Sequence, residues 1–441
     1  MSTRRGVDDR PHVVVVGAGF GGLACAKALS RSGAVRVTVV DRNNFHTFLP
    51  LLYQVATCGL NAADVAYPVR GVLRRYPGVA MRVGTVETID AAQRRVVVDG
   101  EPIAYDHLVI AAGSRAHHFG VPGAQAHGFS LYSLADAARL RNHVLARFEA
   151  AARDPSLVAE GALDVVVVGG GPTGVETAGA LAELDTHVLS RDFPTLPVDR
   201  ARVHLVEATG SVLGAFSARS QRHALDTLAA RGVEIHLDTP VAEVTPTRVR
   251  LGDGTELAAH TVVWAAGVQA AEVADHLDVE RGHSGRIVVA PDLSVPGSPG
   301  VWAIGDVAQI PDAAPSGGTL PQLAQGAIQS GTHAAEQICR ILAGEATTPI
   351  RYRNKGIMAT IGRRAAVAEL PPGVKLRGFV AWLAWLGLHL VTLMGMRNRA
   401  SVLVNWAWNY LTWDRGPRLI FGVGAASESA SEPRRGTDRS D

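Results

Sequence analysis

The sequence predicts an α/β protein built on parallel sheets, and three observations support this fold class. Residues 12–22 and 164–174 repeat one pattern, in which four consecutive valines enter a Gly-x-Gly-x-x-Gly loop. An unbroken β-branched run of this kind is typical of a strand buried on both faces of a parallel sheet. Ala-rich stretches with apolar residues at helical spacing follow the loops, at residues 23–29 and 175–184.

Further strands are predicted where short apolar runs alternate with helical stretches. These runs occupy residues 35–40, 108–112, 203–206, 233–237, 261–265 and 301–304. The composition agrees with a folded protein, because 47% of the 441 residues are apolar and the length suits about three domains. The net charge of +2 and the charged fraction of 19% do not indicate a nucleic-acid partner.

Glycine spacing indicates what the two loops bind. A phosphate pair needs backbone N–H groups aimed at it from the start of a helix, with no side chain in the way. The residues that meet this need are Gly17, Gly19 and Gly22 in the first loop and Gly169, Gly171 and Gly174 in the second. Because strand, loop and helix occur together twice, the sequence predicts two Rossmann-like dinucleotide-binding domains.

An acid at the end of the following strand completes each unit, because it accepts hydrogen bonds from ribose hydroxyls. Asp41 follows the first loop at the expected distance. Glu207 follows the second loop at a longer distance, which we attribute to an insertion at residues 191–199. A carboxylate at position 207 repels a 2′-phosphate, so the sequence predicts a preference for NADH over NADPH.

A strand ending in Gly305-Asp306 distinguishes the two loops. This pattern resembles the one by which two-dinucleotide flavoproteins place an aspartate on the ribityl chain of FAD; the alternative is a plain turn aspartate. The resemblance implies non-covalent FAD at the first loop and NADH at the second. It also implies further binding residues, which are Phe20, Gly21, Arg42, Ala112, Gly113 and Gln325 for FAD, and Pro172, Thr173 and Gly267 for NADH.

Three segments narrow the resemblance. Residues 48–57, 171–176 and 324–329 are similar to the corresponding parts of type II NADH dehydrogenases, the single-subunit NADH:quinone oxidoreductases. The likeness covers residues 10–422 and departs from the family pattern at Cys58 and Ala112. It implies that NADH reduces the flavin and that a membrane quinone, menaquinone or ubiquinone, is the second substrate. No bundle of spanning helices with ionisable residues is visible, so proton pumping is not expected.

The same resemblance implies three catalytic residues. Glu176 would link nicotinamide and flavin and handle protons; the alternative is an acid that favours the helix dipole in the first turn. Gln325 and Gln329 lie at i and i+4 of a predicted helix, hence on one face, and would hydrogen-bond quinone oxygens. Their alternative is an exposed polar stripe. Tyr53 and Gln54 are further candidates for this pocket.

Cysteine and histidine spacing argues against other chemistry. Cys25, Cys58 and Cys339 are far apart, so neither a disulfide framework nor a metal site is expected. Cys25 and Cys339 are interpreted as core residues. The competing functions are an NADH-dependent reductase of a small redox protein of the ferredoxin or rubredoxin type, and a non-catalytic NADH sensor.

The C-terminal segment predicts membrane contact. Residues 350–422 carry eleven Lys or Arg against two acids, a net charge of +9, and hold five of the seven tryptophans. Residues 379–396 are almost uncharged, and a narrow polar stripe, Ser401, Asn405, Asn409 and Thr412, follows on the next helix. We expect this helix to lie in the interface of an anionic membrane, with Arg397, Arg399, Arg415 and Arg418 reaching the lipid. The alternatives are a spanning helix and a plain core helix.

These observations predict five parts of the chain. They are a disordered N-terminus at residues 1–11, an FAD-binding domain at 12–120 and 268–345, an NADH-binding domain at 121–267, a C-terminal membrane-association domain at 346–422 and a disordered tail at 423–441. The N-terminus has no apolar signal region, so attachment is expected at the cytoplasmic face of the cell membrane, peripherally. The resemblance allows a homodimer.

Overall fold

The computed structural model describes residues 9–311 and 318–421. The two segments predicted to be disordered lie outside the described residues, apart from residues 9–11. The strands are β1 (His12–Val16), β2 (Arg36–Asp41), β3 (Phe45–Thr47), β4 (Ala66–Pro68), β5 (Val79–Val83), β6 (Val86–Asp90), β7 (Arg95–Val98), β8 (Glu101–Ala104), β9 (His107–Ile110), β10 (Ser114–Ala116), β11 (Gly128–Ser130), β12 (Val165–Val168), β13 (Val203–Val206), β14 (Val233–His236), β15 (Val241–Val244), β16 (Arg248–Leu251), β17 (Glu256–Ala258), β18 (Thr261–Trp264), β19 (Val268–Ala270), β20 (Ile287–Val288), β21 (Val301–Ala303), β22 (Ala308–Gln309), β23 (Ile357–Gly362), β24 (Ala365–Leu370) and β25 (Val374–Arg377).

Twelve α-helices connect these strands or follow them within the described residues. They are α1 (Phe20–Ser32), α2 (Leu52–Ala56), α3 (Ala62–Val65), α4 (Val69–Leu73), α5 (Ala124–His127), α6 (Leu134–Arg153), α7 (Pro172–Leu184), α8 (Ser190–Asp192), α9 (Ala218–Ala229), α10 (Ala324–Leu342), α11 (Gly378–Thr392) and α12 (Met396–Thr412). A π-helical turn, Asp185–Leu189, continues α7.

The first sheet is parallel, with strand order β21-β9-β1-β2-β5. Its central strand is the first valine run, in which Val13, Val14 and Val15 have no exposed surface. Helices α1 and α10 pack closely against each other beside it, and a Cβ at Gly21 would lie 3.0 Å from the carbonyl oxygen of Ala327. This sheet therefore combines strands from residues 12–110 with one from residues 301–303.

The second sheet repeats the design with order β11-β18-β12-β13-β14 and parallel pairing. Its strand β12 is the second valine run and is buried throughout. The six further strands expected from the sequence are β2, β9, β13, β14, β18 and β21, with ends shifted by at most two residues. The α/β class with two Rossmann-like units is confirmed.

The C-terminal part is a three-stranded antiparallel sheet, β23-β24-β25, followed by α11 and α12. Strand β23 lies directly on α7, where a Cβ at Gly179 would overlap the carbonyl oxygen of Ile361. Glycine at position 179 thus lets a sheet approach the helix that follows the second loop. Helix α11 covers β24 from the other side and buries Ala381 and Trp382.

Three residues of the polar stripe of α12 are hydrogen-bonded to other parts of the protein. Ser401 Oγ donates to Asp64 Oδ1 at 2.6 Å and Asn405 Nδ2 donates to Asp64 Oδ2 at 2.9 Å. Asn409 Nδ2 donates to the carbonyl oxygen of Gly59 at 2.8 Å. These three residues therefore face the protein, where they satisfy the buried Asp64 carboxylate and the carbonyl oxygen of Gly59. The fourth, Thr412, is exposed.

Two of the arginines assigned to lipid contact are placed differently. Arg415 is 8% exposed and donates to the carbonyl oxygens of Thr57 and Ala180 at 2.9 and 3.1 Å and to Glu183 Oε2 at 3.3 Å. Removing Glu183 would leave the buried Arg415 charge without its carboxylate partner, and such a loss typically costs about 3–5 kcal/mol. Arg415 thus anchors the chain after α12 to α7 and to the residue that follows α2.

The Arg418 guanidinium forms ion pairs with two carboxylates of the protein. Its Nε lies 2.8 Å from Asp192 Oδ2, and its Nη1 donates to Asp414 Oδ1 at 3.1 Å. Arg399 Nε donates to the carbonyl oxygen of Leu393. Of the four arginines, all within the described residues, only Arg397 is largely exposed to solvent.

Helix α11 is only 15 residues long, and a turn separates it from α12. Among residues 9–311 and 318–421, none of the helices combines the length and the hydropathy required to cross a bilayer.

Candidate functional site

The two glycine loops have the same backbone geometry. Gly17 N–H donates to the carbonyl oxygen of Val40 at 2.7 Å, and Gly169 N–H donates to that of Val206 at 2.8 Å. Both glycines have φ near +107°, a backbone angle that residues with a side chain rarely adopt. The chain therefore leaves each valine strand through the same sharp turn and enters a helix with its N–H groups unpaired.

The two acids occupy equivalent positions. Asp41 Oδ2 accepts from Ala18 N–H at 2.7 Å, and Glu207 Oε2 accepts from Gly170 N–H at 2.6 Å. In each unit, the residue after the first glycine thus binds the carboxylate that ends the neighbouring strand. The longer sequence gap before Glu207 has not displaced it from the position expected of a ribose acid.

Space for a ligand is left at the middle glycine of each loop. Gly19 and Gly171 cap the N-termini of α1 and α7, and a Cβ at either position would meet nothing within 4 Å. In contrast, a Cβ at Gly22 or Gly174 would overlap the carbonyl oxygen of the first glycine of its own loop. The third glycine thus serves the turn, while the middle glycine borders open space that fits a pyrophosphate.

Asp306 follows β21, so it lies at the same carboxyl edge of the first sheet as the first loop. Its Oδ2 accepts from Ser114 Oγ at 3.3 Å, and burial raises the pKa of its carboxyl. Gly305 N–H donates to Ser330 Oγ at 3.1 Å, which fixes this turn against α10. The remaining carboxylate capacity of Asp306 suits a ligand hydroxyl.

The other predicted binding residues divide between the two loops. Phe20, Gly21, Ala112 and Gly113 adjoin the first loop, where Gly113 has a φ of +73°, whereas Arg42 is exposed. Pro172 and Thr173 begin α7 at the second loop, and Gly267 lies between β18 and β19. The carbonyl oxygen of Gly267 accepts from His117 N–H at 3.0 Å.

Glu176 lies beyond the first turn of α7, which corrects its expected placement. It is the fifth residue of the helix and is turned toward the C-terminal sheet, where its Oε1 accepts from Thr360 N–H at 3.2 Å. Burial raises the pKa of its carboxyl to about 8. Glu176 is therefore largely protonated at pH 7 and available as a proton donor.

A cavity of about 50 Å³ adjoins Glu176. Tyr53 and Gln54 of α2 line it together with Trp406 and Tyr410 of α12. Trp406 Nε1 donates to Gln54 Oε1 at 2.7 Å, and Gln54 Nε2 donates to the hydroxyl of Tyr53 at 2.9 Å. The structure thus brings these two predicted residues to the same cavity as Glu176.

Gln325 and Gln329 share one face of α10, but both amides are engaged. Gln325 donates to the carbonyl oxygen of Gly356 at 3.0 Å and accepts from Lys355 N–H at 2.9 Å. Gln329 makes both bonds with the backbone of Arg353, at 3.0 and 2.9 Å. Both side chains therefore hold the chain that leads into β23, and neither is a simple exposed stripe.

Two residues of this site were not predicted from the sequence. Thr360 binds Glu176 from 184 positions along the chain, and Glu183 binds both Arg415 and Arg231. The second of these has a local signal, since Glu183 lies seven positions after Glu176 and therefore on the same face of α7.

Cys58, two residues after the end of α2, adopts a φ of +60° and is buried. That conformation favours glycine, which accounts for the Thr-Gly that the resembling family has at this point. Burial raises the pKa of the Cys58 thiol to about 11. Cys25 is likewise buried, and Cys339 packs against the hydrophobic core around the first sheet, in agreement with their interpretation as core residues.

Comparison with known proteins identifies the class. The family model for pyridine nucleotide-disulphide oxidoreductases matches residues 11–331, and the model for the NDH2 C-terminal domain matches residues 354–413. The chain therefore belongs to the pyridine nucleotide-disulphide oxidoreductases, and this membership implies a flavin and NADH.

Curated relatives narrow the class to one enzyme family. "Type II NADH:quinone oxidoreductase Ndh" of Mycobacterium tuberculosis is 38% identical, with 93% of this chain and 90% of the relative covered. "Type II NADH:quinone oxidoreductase" of Staphylococcus aureus is 32% identical, with 81% and 89% covered. The chain is a member of the type II NADH:quinone oxidoreductase family, and it transfers electrons from NADH to quinone.

A solved structure shows the same fold. NDH2 from Plasmodium falciparum in complex with NADH superposes with a TM-score of 0.83 at 16% identity, covering 93% of this chain and 100% of that chain. The sulfide:quinone oxidoreductase of Aquifex aeolicus superposes with a TM-score of 0.69 at 20% identity, covering 89% and 92%.

Proposed function

We propose that the flavin is FAD, bound non-covalently at the first loop, and that NADH binds at the second. The single observation that carries this assignment is the duplicated geometry, in which Ala18 and Gly170 bind equivalent carboxylates and leave Gly19 and Gly171 facing open space. Asp306 beside the first loop supports FAD there, because a ribityl chain offers hydroxyls that a carboxylate binds. The bound flavin supplies a two-electron acceptor that NADH reduces and quinone reoxidises.

The protein's own part is to bind, orient and hold protons. The unpaired N–H groups at the starts of α1 and α7 bind pyrophosphates. Asp41 and Glu207 hold riboses. Glu176 holds a proton on its carboxyl in a site that the C-terminal sheet shields from water, so we assign it the proton transfer that quinone reduction requires.

Gln325 and Gln329 are proposed to contact the quinone through the amide N–H hydrogens that are not yet used in hydrogen bonds. Each amide NH₂ carries two hydrogens, and each donates one to the loop 353–356 in the described structure. The second hydrogen of each can bind a quinone carbonyl oxygen while the first holds the amide in place. The hydrogen-bonded loop thereby orients the quinone-binding groups.

An anaerobic titration of the purified protein tests this assignment. We expect the visible flavin band to bleach on addition of NADH and to return on addition of a soluble quinone. Acid extraction is expected to release FAD, whereas FMN in the extract would contradict the proposal. Bleaching that a quinone does not reverse would favour a reductase of a small redox protein, and a band unaffected by NADH would favour a sensor.

Glu207→Gln is expected to weaken the preference for NADH. The amide still accepts from Gly170 N–H but no longer carries the charge that repels a 2′-phosphate. We expect the ratio of kcat/KM for NADPH to that for NADH to rise about tenfold, which corresponds to about 1.4 kcal/mol. Glu160→Gln, at an exposed glutamate, is the control. An unchanged ratio in Glu207→Gln would show that another residue holds the ribose.

We infer peripheral attachment to the cytoplasmic face of the membrane from the outer faces of α11 and α12. These faces expose large apolar side chains, which are Phe379, Val380, Leu383, Leu388, Val391, Met396, Leu403, Val404, Trp408 and Leu411. Exposed basic residues, Lys375, Arg377 and Arg397, flank this apolar surface. An apolar surface of this extent with basic flanks fits an anionic lipid surface.

Replacing Val404, Trp408 and Leu411 with serine is expected to release the enzyme from membranes. Their side chains are 67%, 58% and 82% exposed, and burial of one such side chain contributes about 1.5–3 kcal/mol. We expect binding to phosphatidylglycerol-containing vesicles, measured by flotation, to fall at least about 100-fold. Ile341→Ser with Leu342→Ser on α10 is the control. Retention of the triple variant on vesicles would reject this surface as the attachment site.

The origin of the strands in each parallel sheet supports the predicted domain boundaries. The first sheet takes its strands from both predicted parts of the FAD-binding domain, 12–120 and 268–345, while β11 to β18 fall inside the predicted NADH-binding domain, 121–267. We propose these limits, with residues 346–422 as the membrane-association domain.

A further inference from the structure

Three side chains at the edge of the second sheet have no part in the reaction described above. His204 lies on β13, and Glu234 and His236 lie on the edge strand β14. In the parallel register His204 is paired with Glu234, and Val206 is paired with His236. Because paired residues and alternate residues share a face, all three side chains lie on one face of the sheet.

The distances between their polar atoms are those of metal ligands. His204 Nδ1 lies 3.3 Å from His236 Nε2 and 3.3 Å from Glu234 Oε2. One ligand atom from each residue lies within 4.8 Å of the others. A tetrahedral Zn²⁺ with bonds of about 2.0–2.1 Å holds its ligand atoms about 3.3–3.4 Å apart. Two of the three separations therefore already match a tetrahedral ion.

The surroundings suit an ion that enters from the solvent. His204 is buried, His236 is half-buried and the Glu234 side chain is 50% exposed, so one side of the cluster is fixed and the other is open. Arg202 Nε lies 3.3 Å from Glu234 Oε1, the oxygen that does not face His204. Such a partner orients a ligating carboxylate, as outer-shell groups do in metal sites.

We propose that His204, Glu234 and His236 bind one Zn²⁺ ion, with water as the fourth ligand. The ion joins β14 to β13 immediately before Glu207, whose N–H donates to the carbonyl oxygen of His236 at 2.8 Å. Local ligand spacing indicated no metal site, since the three ligands come from two strands about 30 positions apart. Parallel pairing, which local spacing does not reveal, brings them together.

Calorimetric titration of the flavin-loaded full-length enzyme with ZnCl₂, after treatment with EDTA, tests the site. We expect one ion per chain for the wild-type enzyme. His236→Ala and Glu234→Gln are expected to weaken Zn²⁺ binding more than about tenfold. His276→Ala, which removes an exposed histidine elsewhere in the second half of the chain, is the control and is expected to bind Zn²⁺ as the wild type does.

Two further measurements make the outcome decisive. Mg²⁺ is expected not to bind, since imidazole ligands suit Zn²⁺ and not Mg²⁺. Co²⁺ in place of Zn²⁺ is expected to give the visible absorption of a tetrahedral ion, and Glu234→Gln is expected to change it. Absence of stoichiometric Zn²⁺ binding by the wild-type enzyme would overturn the proposal. Equal binding by the wild type, His236→Ala and Glu234→Gln would also overturn it.

Discussion

Gly19→Val is expected to yield a colourless protein, whereas Gly171→Val is expected to yield a yellow protein that NADH does not reduce. The two glycines occupy the same position in the two loops, at the N-termini of α1 and α7. Their φ values are −74° and −68°, which valine adopts readily. Neither substitution therefore strains the backbone.

The open space beside these glycines makes the experiment informative. A Cβ at Gly19 or Gly171 contacts nothing within 4 Å in the protein, so any loss reports on the ligand that occupies the space. Gly22→Val or Gly174→Val would instead damage the turn, because a Cβ there overlaps the backbone. Valine beside a pyrophosphate excludes it from the N–H groups, and we expect at least about 100-fold weaker binding.

Flavin content and the KM for NADH separate the two variants. The ratio of visible to ultraviolet absorbance reports bound flavin, and stopped-flow reduction reports NADH binding. Circular dichroism matching that of the wild type is expected for both. Full flavin content in Gly19→Val would show that the first loop does not hold FAD, and flavin loss confined to Gly171→Val would reverse the assignment.

Glu176→Gln is expected to lower quinone turnover about 100-fold while leaving reduction by NADH near the wild-type rate. The carboxyl is buried against Thr360 and its pKa is raised to about 8, so at pH 7 it carries the proton that quinone reduction needs. Glutamine has the same shape and can accept from Thr360 N–H, but it cannot transfer a proton. Stopped-flow and steady-state kinetics measure the two half-reactions separately.

The pH dependence of quinone reduction distinguishes proton transfer by Glu176 from a purely structural role of this residue. The wild-type rate of quinone reduction is expected to fall as the pH rises through about 8, because the carboxyl then loses its proton. The Glu176→Gln rate is expected to lack this fall. Glu149→Gln, at an exposed position on α6, is the control. Equal loss of both half-reactions in Glu176→Gln would contradict proton transfer by this residue.

Stability follows from the same shift in pKa. Burial raises the pKa of Glu176, so the folded protein binds more protons than the unfolded chain between about pH 4.5 and 8. The free energy of unfolding therefore decreases across this window as the pH rises. Thermal unfolding of Glu176→Gln is expected to show a smaller decrease than the wild type.

The sequence could predict the features that residues close together in the chain determine. The turns at Gly17 and Gly169 and the acids at Asp41 and Glu207 belong to single strand-loop-helix units, so spacing was sufficient to locate them. The insertion before Glu207 changed the spacing without changing the position of the carboxylate, because β13 pairs with β12 in the same parallel register as β2 with β1.

The sequence could not predict the orientation of side chains whose hydrogen-bond partners lie far away in the chain. A polar stripe on α12 is compatible with water or with a buried carboxylate, and only Asp64, more than 330 positions earlier, decides between them. Arg415 likewise pairs with Glu183 and not with lipid. Apolar residues of α12 are exposed, so membrane contact by this helix remains a proposal, whereas Arg415, expected to reach the lipid, is buried.

The strand order of the first sheet has a consequence for how the enzyme is made. Strands β11 to β18 of the second sheet are complete once Trp264 has been synthesised, whereas the first sheet lacks its β21 edge until Ala303 has followed. Domains generally fold as units while the ribosome extends the chain. The nicotinamide half is thus expected to mature first, and the nascent polypeptide acquires its coloured prosthetic group only late in translation.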